Sequence, residues 1–258
     1  MRLRGRVRAW LAAAVGALVL GLLPGPAHAG AAAPDPGQSA GRQQPEAVRY
    51  LNLHQCVYYD SGTIRGQWLT TAVPSRDGRF LGGTNVSNTA QTGPVCGPGD
   101  GRYLIDTPNT RMAALDLSAG RYLNLHQCVY YSQSLDDHLT TIVPKGFDFF
   151  STGTNVSNTP DTEPWCYAGF SDWLLVDLFT SVKTIDLTAG RYVNLQQCMF
   201  YSSRQADHFT TFVNSRDGRF AAGTNISNTR VTTPTCGPGD GNFLPVPILS
   251  GSLPLDLA

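Results

Sequence analysis

The sequence predicts an all-β protein made of three tandem, disulfide-stapled β repeats of about 70 residues each, and three observations carry that prediction. First, the run Arg49-Tyr50-Leu51-Asn52-Leu53-His54-Gln55-Cys56 returns as RYLNLHQC at 121–128 and as RYVNLQQC at 191–198. Second, each repeat carries a GTNVSNT or GTNISNT segment (83–89, 153–159, 223–229) and a second cysteine, Cys96, Cys166 or Cys236. Third, nothing after residue 30 holds a helical period with caps. Apolar residues instead alternate or form short β-branched runs between Gly- and Pro-containing turns.

The chain begins with Arg2, Arg4, Arg6 and Arg8, an apolar run over 11–23, and Ala27-His28-Ala29. A positive start, a short apolar core and a small-residue cleavage site predict a secretory signal peptide over 1–29, too short to span a membrane. The formal charge of zero includes those four arginines; without them fifteen Lys and Arg face nineteen Asp and Glu. A net charge near −4 and no basic run argue against nucleic acid as a partner. Residues 30–48, rich in Ala, Pro, Gly and Gln, read as a flexible tail that serves as a spacer, docks on a partner or is trimmed. Repeats follow at 49–120, 121–190 and 191–258.

Six cysteines in a secreted chain predict three disulfides, and six cysteines allow fifteen pairings. Schemes that treat the repeats alike join the first cysteine of each to a second one, within a repeat or around a ring of repeats. The simpler choice is Cys56–Cys96, Cys128–Cys166 and Cys198–Cys236.

Within a repeat, residues 50–59 alternate as a strand, with Leu51, Leu53, Val57 and Tyr59 on one face and Tyr50, Asn52, His54, Cys56 and Tyr58 on the other. Residues 68–73 form a second β-branched run, Asp77-Gly78 marks a hairpin turn before Phe80, and residues 97–101 form a tight turn. Short strands follow at 103–105 and 112–117. Aligned on the cysteines, the repeats differ in length only by two extra residues within 61–66, which is therefore a loop.

No linker separates the repeats. Leu115-Asp116-Leu117 runs through Ser118-Ala119-Gly120 into Arg121, and the same join recurs at 185–191. Short Gly-ended connections between apolar runs predict that the last strand of one repeat pairs with the first strand of the next. The C-terminal strand near Asp256 would then pair near Tyr50 and close a pseudo-threefold arrangement without free edges. Three small β domains in a row are the alternative.

Catalysis needs one nucleophile and one base, and the repeats supply neither pattern. His54 and His126 correspond to Gln196, and His138 and His208 correspond to Trp68, so these positions read as packing or polar surface rather than general bases. No HExxH is present, and no GxSxG or phosphate-cradling loop follows a strand at the right position. The cysteines pair, no His pair has zinc spacing, and Asp116, Asp186 and Asp256 read as turn caps rather than calcium ligands. The expectation is a non-enzyme with no cofactor and no metal.

Two sets of residues are candidates for binding. Tyr50, Asn52, Asn85 and Asn88, with Tyr122, Asn124, Asn155, Asn158 and Tyr192, Asn194, Asn225, Asn228, offer planar amides beside an aromatic ring, as sugar recognition uses. The same GTN[VI]SNT loops also read as turns that bond their own backbone. Their match to a glycosylation pattern is discounted because the signal peptide has bacterial character. The second set is in repeat 2, where Phe147, Phe149, Trp165, Tyr167, Phe170 and Trp173 concentrate aromatics at turn positions. These sets predict a secreted multivalent binding protein, lectin-like toward cell-surface or cell-wall glycans. The alternative is an adaptor or scaffold that binds a secreted or cell-surface protein through the aromatic set and the tail. A lesser alternative is an inhibitor of a secreted hydrolase that presents the 61–66 loop.

Overall fold

One long strand organises each repeat. The computed structural model describes residues 47–62, 66–144 and 149–258; the expected signal peptide, most of the tail, the centre of the 61–66 loop and Phe147 lie outside the described residues. In repeat 1, β1 (Tyr50–Asp60) pairs antiparallel with four strands: β2 (Trp68–Thr71), β3 (Asn85–Ser87), β4 (Tyr103–Ile105) and β5 (Arg111–Asp116). Its first half, to Gln55, lies between β3 and β5; its second half, from Cys56, carries β2 and β4. Such a spine is covered on both sides, so nearly every residue of β1 is buried.

Repeat 2 builds the same sheet from β6 (Tyr122–Ser132), β7 (Asp137–Thr141), β8 (Asn155–Ser157), β10 (Trp173–Leu175) and β11 (Ser181–Asp186), with β9 (Gly169–Phe170) added as a short hairpin arm on β10. Repeat 3 uses β12 (Tyr192–Ser202), β13 (Asp207–Thr211), β14 (Asn225–Ser227), β15 (Phe243–Pro245) and β16 (Gly251–Asp256). The described residues are thus nearly all-β, with three separate sheets and one 3₁₀ turn over Leu117–Ala119. The disulfides join Cys56 to Cys96, Cys128 to Cys166 and Cys198 to Cys236, with Cα atoms 5.6–5.8 Å apart. Each closes a loop of 38–40 residues, a constraint on the unfolded chain of about 4 kcal/mol in the entropy model.

The strand expected to exchange between repeats does not do so. β5 pairs with β1, β11 with β6, and β16 with β12, each inside its own repeat. The register explains this: Leu115 stands opposite Leu51, Ile185 opposite Leu123, and Leu255 opposite Val193, so own-repeat pairing already places the apolar positions on the core side. The junctions then cross to the next repeat instead of reversing as hairpins. Gly120 lies so close to the backbone of Ser157 that a Cβ would meet it at 2.2 Å, and Gly190 approaches Ser227 in the same way. Two local expectations also change. Asp77-Gly78 forms a closed turn, with Gly78 at φ +72 and the Ser75 N–H bonded to the Phe80 carbonyl, and no hairpin ladder follows. The GTNVSNT segment supplies strand residues (85–87) before its turn.

Closure is achieved by packing. β2, β7 and β13 contact one another around the pseudo-threefold axis, and the last strand of each repeat packs on the third strand of the next: β5 on β8, β11 on β14, β16 on β3. Leu51, Leu53, Ala72 and Val73 join their counterparts from the other repeats, among them Leu123, Ile142, Val193 and Phe212, in a single core. A smaller cluster joins Val129 of repeat 2 to Phe200, Phe209 and Phe220 of repeat 3, and another joins Met199 of repeat 3 to Tyr58, Leu69 and Phe80 of repeat 1.

A buried glutamine fixes each contact. Gln55 Oε1 accepts the Ile142 N–H at 2.8 Å, Gln127 Oε1 the Phe212 N–H at 2.6 Å, and Gln197 Oε1 the Ala72 N–H at 2.7 Å. Every repeat therefore reaches into the next, in one sense, and repeat 3 reaches repeat 1. Gln127→Leu should lower unfolding stability by about 1–3 kcal/mol, because the buried N–H groups of Phe212 and Val213 lose their acceptor; chemical denaturation followed by circular dichroism measures this. Calorimetry of the intact chain should show one unfolding transition, since no repeat completes its own core; separate transitions would contradict the shared core.

Candidate functional site

Of the asparagines predicted to meet a ligand, Asn52, Asn124 and Asn194 lie inside the fold, Asn85, Asn155 and Asn225 are half-buried, and Asn88, Asn158 and Asn228 are exposed. Asn52 is fully buried. Its Nδ2 donates to Asn85 Oδ1, Ser87 Oγ and the Thr89 carbonyl at 3.0–3.2 Å, and its Oδ1 accepts the Gln91 N–H at 3.0 Å. Asn124 and Asn194 repeat this pattern with their own loops. Asn85, Asn155 and Asn225 donate back to the carbonyls of Gly83, Gly153 and Gly223 at 2.6–2.8 Å. All these amides are occupied in tying the GTN[VI]SNT loop to the spine strand.

The histidines of the same face have an equivalent task. His54 Nδ1 accepts the Val95 N–H at 2.9 Å and its Nε2 faces Gln91 Oε1 at 2.5 Å. His126 Nδ1 accepts the Trp165 N–H at 2.8 Å and its Nε2 faces Asp161 Oδ2 at 3.0 Å. Gln196 Oε1 takes the same position and accepts the Thr235 N–H at 2.6 Å. An imidazole nitrogen and an amide oxygen thus do one job: they hold the residue before the second cysteine. Burial pushes the His54 pKa down, partly offset by the bond to Gln91, which favours the neutral ring this acceptor role needs.

The other two histidines are inter-repeat contacts. His138 packs edge-on to Phe243, and His208 edge-on to Tyr103, while Trp68 stacks on Trp173 with centroids 5.9 Å apart. Trp173 is the counterpart of Tyr103 and Phe243, so it serves the packing common to all repeats and not a surface particular to repeat 2.

What remains outside is a rim and a tip. At the rim, Arg49 lies over the Tyr50 ring at 5.1 Å and pairs with Asp116 at 2.9 Å, and its N–H donates to Asn88 Oδ1. Arg121, Tyr122, Asp186 and Asn158, and Arg191, Tyr192, Asp256 and Asn228, repeat the arrangement. Asp116 also caps its turn by accepting the Ser118 N–H at 2.9 Å, as Asp186 and Asp256 do for Thr188 and Ala258. The Arg49 and Ser118 bonds hold the Asp116 carboxyl down at about 2. Beside Arg191 and Asn228 a shallow cleft opens between the repeat 2 to repeat 3 junction and Leu257.

The tip of repeat 2 differs in kind. In repeats 1 and 3, Arg79 pairs with Asp77 and Asp100, and Arg219 with Asp217 and Asp240, at 2.6–3.9 Å. In repeat 2 the counterparts of Arg79 and Asp100 are Phe149 and Phe170, whose ring centroids lie 4.0 Å apart. Tyr167 joins them at 6.4 Å from Phe149. Phe149, Tyr167, Phe170 and Trp165 are 42–55% exposed, and Leu174 on β10 adds to the exposed apolar residues of this repeat. Phe150, one residue on, keeps the inward slot of Phe80 and Phe220 and packs on Tyr130. Sequence reading found the excess of aromatics but missed that 149 and 170 change together; the signal was there in the paired loss of Arg and Asp.

No family model, no curated protein and no solved structure matches the chain, so function rests on this geometry. One consequence is specific. His126→Gln should leave stability within about 0.5 kcal/mol of the parent, because Gln196 already fills that position, whereas His126→Leu should cost about 1–3 kcal/mol by orphaning the Trp165 N–H. Urea titration of both variants checks this.

Proposed function

We propose that this chain is a secreted, non-enzymatic binding protein that captures a protein partner through the aromatic tip of repeat 2. The observation that carries the reading is the joint replacement of an Arg–Asp clamp by a closely packed, half-exposed Phe149–Phe170 pair at one of three equivalent tips. Aromatic rings left open beside Tyr167 lose solvent contact only when something covers them, and large rigid rings of this kind dominate binding energy at protein interfaces. Three disulfides support an extracellular setting, and among the described residues no helix is long and apolar enough to cross a membrane. The non-enzymatic reading is supported by His54 and His126, whose nitrogens face loop groups of their own repeats.

A second reading, multivalent glycan binding, is favoured by one observation: the Arg–Tyr–Asp–Asn rim occurs three times and borders a cleft at Arg191 and Asn228. The buried amides of Asn52, Asn124 and Asn194 would then act only by holding the loops in place.

The variant Phe149→Arg/Phe170→Asp installs the clamp of the sibling repeats. It should leave the melting temperature nearly unchanged and abolish capture of the partner in affinity capture from culture fluid. Unchanged capture by this variant, together with glycan-array binding that is lost on Arg49→Ala/Arg121→Ala/Arg191→Ala, would transfer the function to the rim.

A further inference from the structure

At one end of the pseudo-threefold axis the strands begin with buried polar side chains, acidic in repeats 2 and 3 and an amide in repeat 1. Gln67 stands just before β2, Asp137 opens β7 and Asp207 opens β13, at equivalent positions, and all three are buried. Asp137 touches every repeat. Its carboxyl accepts the His138 N–H at 2.8 Å, and the backbone of Trp68 of repeat 1 and the carboxyl of Asp207 of repeat 3 lie close enough to act on its charge. Asp207 Oδ2 accepts a bond from His138 Nδ1 at 2.7 Å. One oxygen of each acid, Asp137 Oδ2 and Asp207 Oδ1, is then buried with no other partner.

The surrounding groups do not neutralise two charges. Arg102 is held by Asp60 at 2.7 Å. Tyr103 donates to Gln67 Oε1 at 2.7 Å and lies 3.4 Å from His208 Nδ1. Burial pushes the Tyr103 hydroxyl up to about 12 and His208 down to about 4, so both are neutral at ordinary pH. The buried N–H groups of Gln67 Nε2 and Trp68 Nε1 make no hydrogen bond to either acid, so two carboxylates facing each other here would leave Asp137 Oδ2 and Asp207 Oδ1 as acceptors unmet by any donor in a low-dielectric site. One proton between them supplies the missing donor. Burial first, and the bond to Asp207 second, raise the Asp137 pKa well above the usual carboxylate range.

We propose that a single proton shared by Asp137 Oδ2 and Asp207 Oδ1 locks the three repeats together at this end of the axis, and that its release to solvent opens the lock. The unfolded chain holds its Asp137 proton only below about pH 4, so the contribution is complete in acid. It declines as pH rises from there through the raised value of the folded state. The half-exposed Asp116, Asp186 and Asp256, held low by their arginines, act in the opposite sense by losing their contribution in acid. The difference between two proteins therefore isolates the pair.

Asp137→Asn offers Asp207 a permanent N–H donor and keeps an acceptor oxygen. The wild-type melting temperature minus that of Asp137→Asn should fall with rising pH by roughly 2–4 °C or more; a difference that stays constant with pH overturns the proposal. Infrared spectroscopy of the wild-type chain should show the carbonyl band of a neutral carboxylic acid at neutral pH, sheltered from solvent exchange. Absence of that band overturns the proposal even if Asp137→Asn fails to fold.

Discussion

The core depends on three glutamine oxygens. β2 stops at Thr71, and the chain then turns inward so that Ala72 and Val73 can fill the axis. That inward step takes the N–H of Ala72 out of the sheet ladder and into a site from which water is excluded, where an unmatched donor is costly. Gln197, reaching from repeat 3, supplies the acceptor, and Gln55 and Gln127 do the same for Ile142 and Phe212. Packing and polar satisfaction are thus one event. No repeat can place its axial residues until its neighbour is present, and the disulfides, which staple each repeat separately, cannot substitute for that contact.

Much of this was legible in the sequence, because the relevant information is local and repeated. Treating the repeats alike, with the simpler pairing inside each repeat, assigned the disulfides, and alternation in residues 50–59 located the spine strand. The partner of the last strand was not legible: Leu115 satisfies the apolar pattern equally well beside Leu51 of its own repeat or Leu123 of the next, and only register and the close approach of Gly120 to Ser157 decide between them. Gln55 was overlooked because a lone polar residue on an apolar face looks like an interruption; its return as Gln127 and Gln197 was the available signal. The asparagines illustrate a deeper ambiguity. A site that waits for a sugar and a network that ties down a loop are built from the same amides and hydroxyls, and burial alone separates them.

The divergence of repeat 2 is possible because surface and core alternate along the tip. Phe150 retains the inward position of Phe80 and Phe220, while Phe149 replaces Arg79 one residue earlier and points to the other side. Past the second cysteine, Tyr167 and Phe170 likewise replace Gly97 and Asp100 on the surface while the disulfide keeps its place. A symmetric frame can therefore carry an asymmetric surface at little structural cost.

The one-way order of the glutamine contacts has a further consequence. A repeat presents a giving face and a receiving face that differ, which makes every contact heterologous rather than self-matching. Heterologous units either close or continue without limit, and here the rotation between neighbours closes after three. A chain cut to two repeats would leave one glutamine oxygen without its donor and one inward turn without its acceptor, the open ends from which fibres grow. Joining three units in one polypeptide fixes the stoichiometry that a free single repeat would have to reach by assembling.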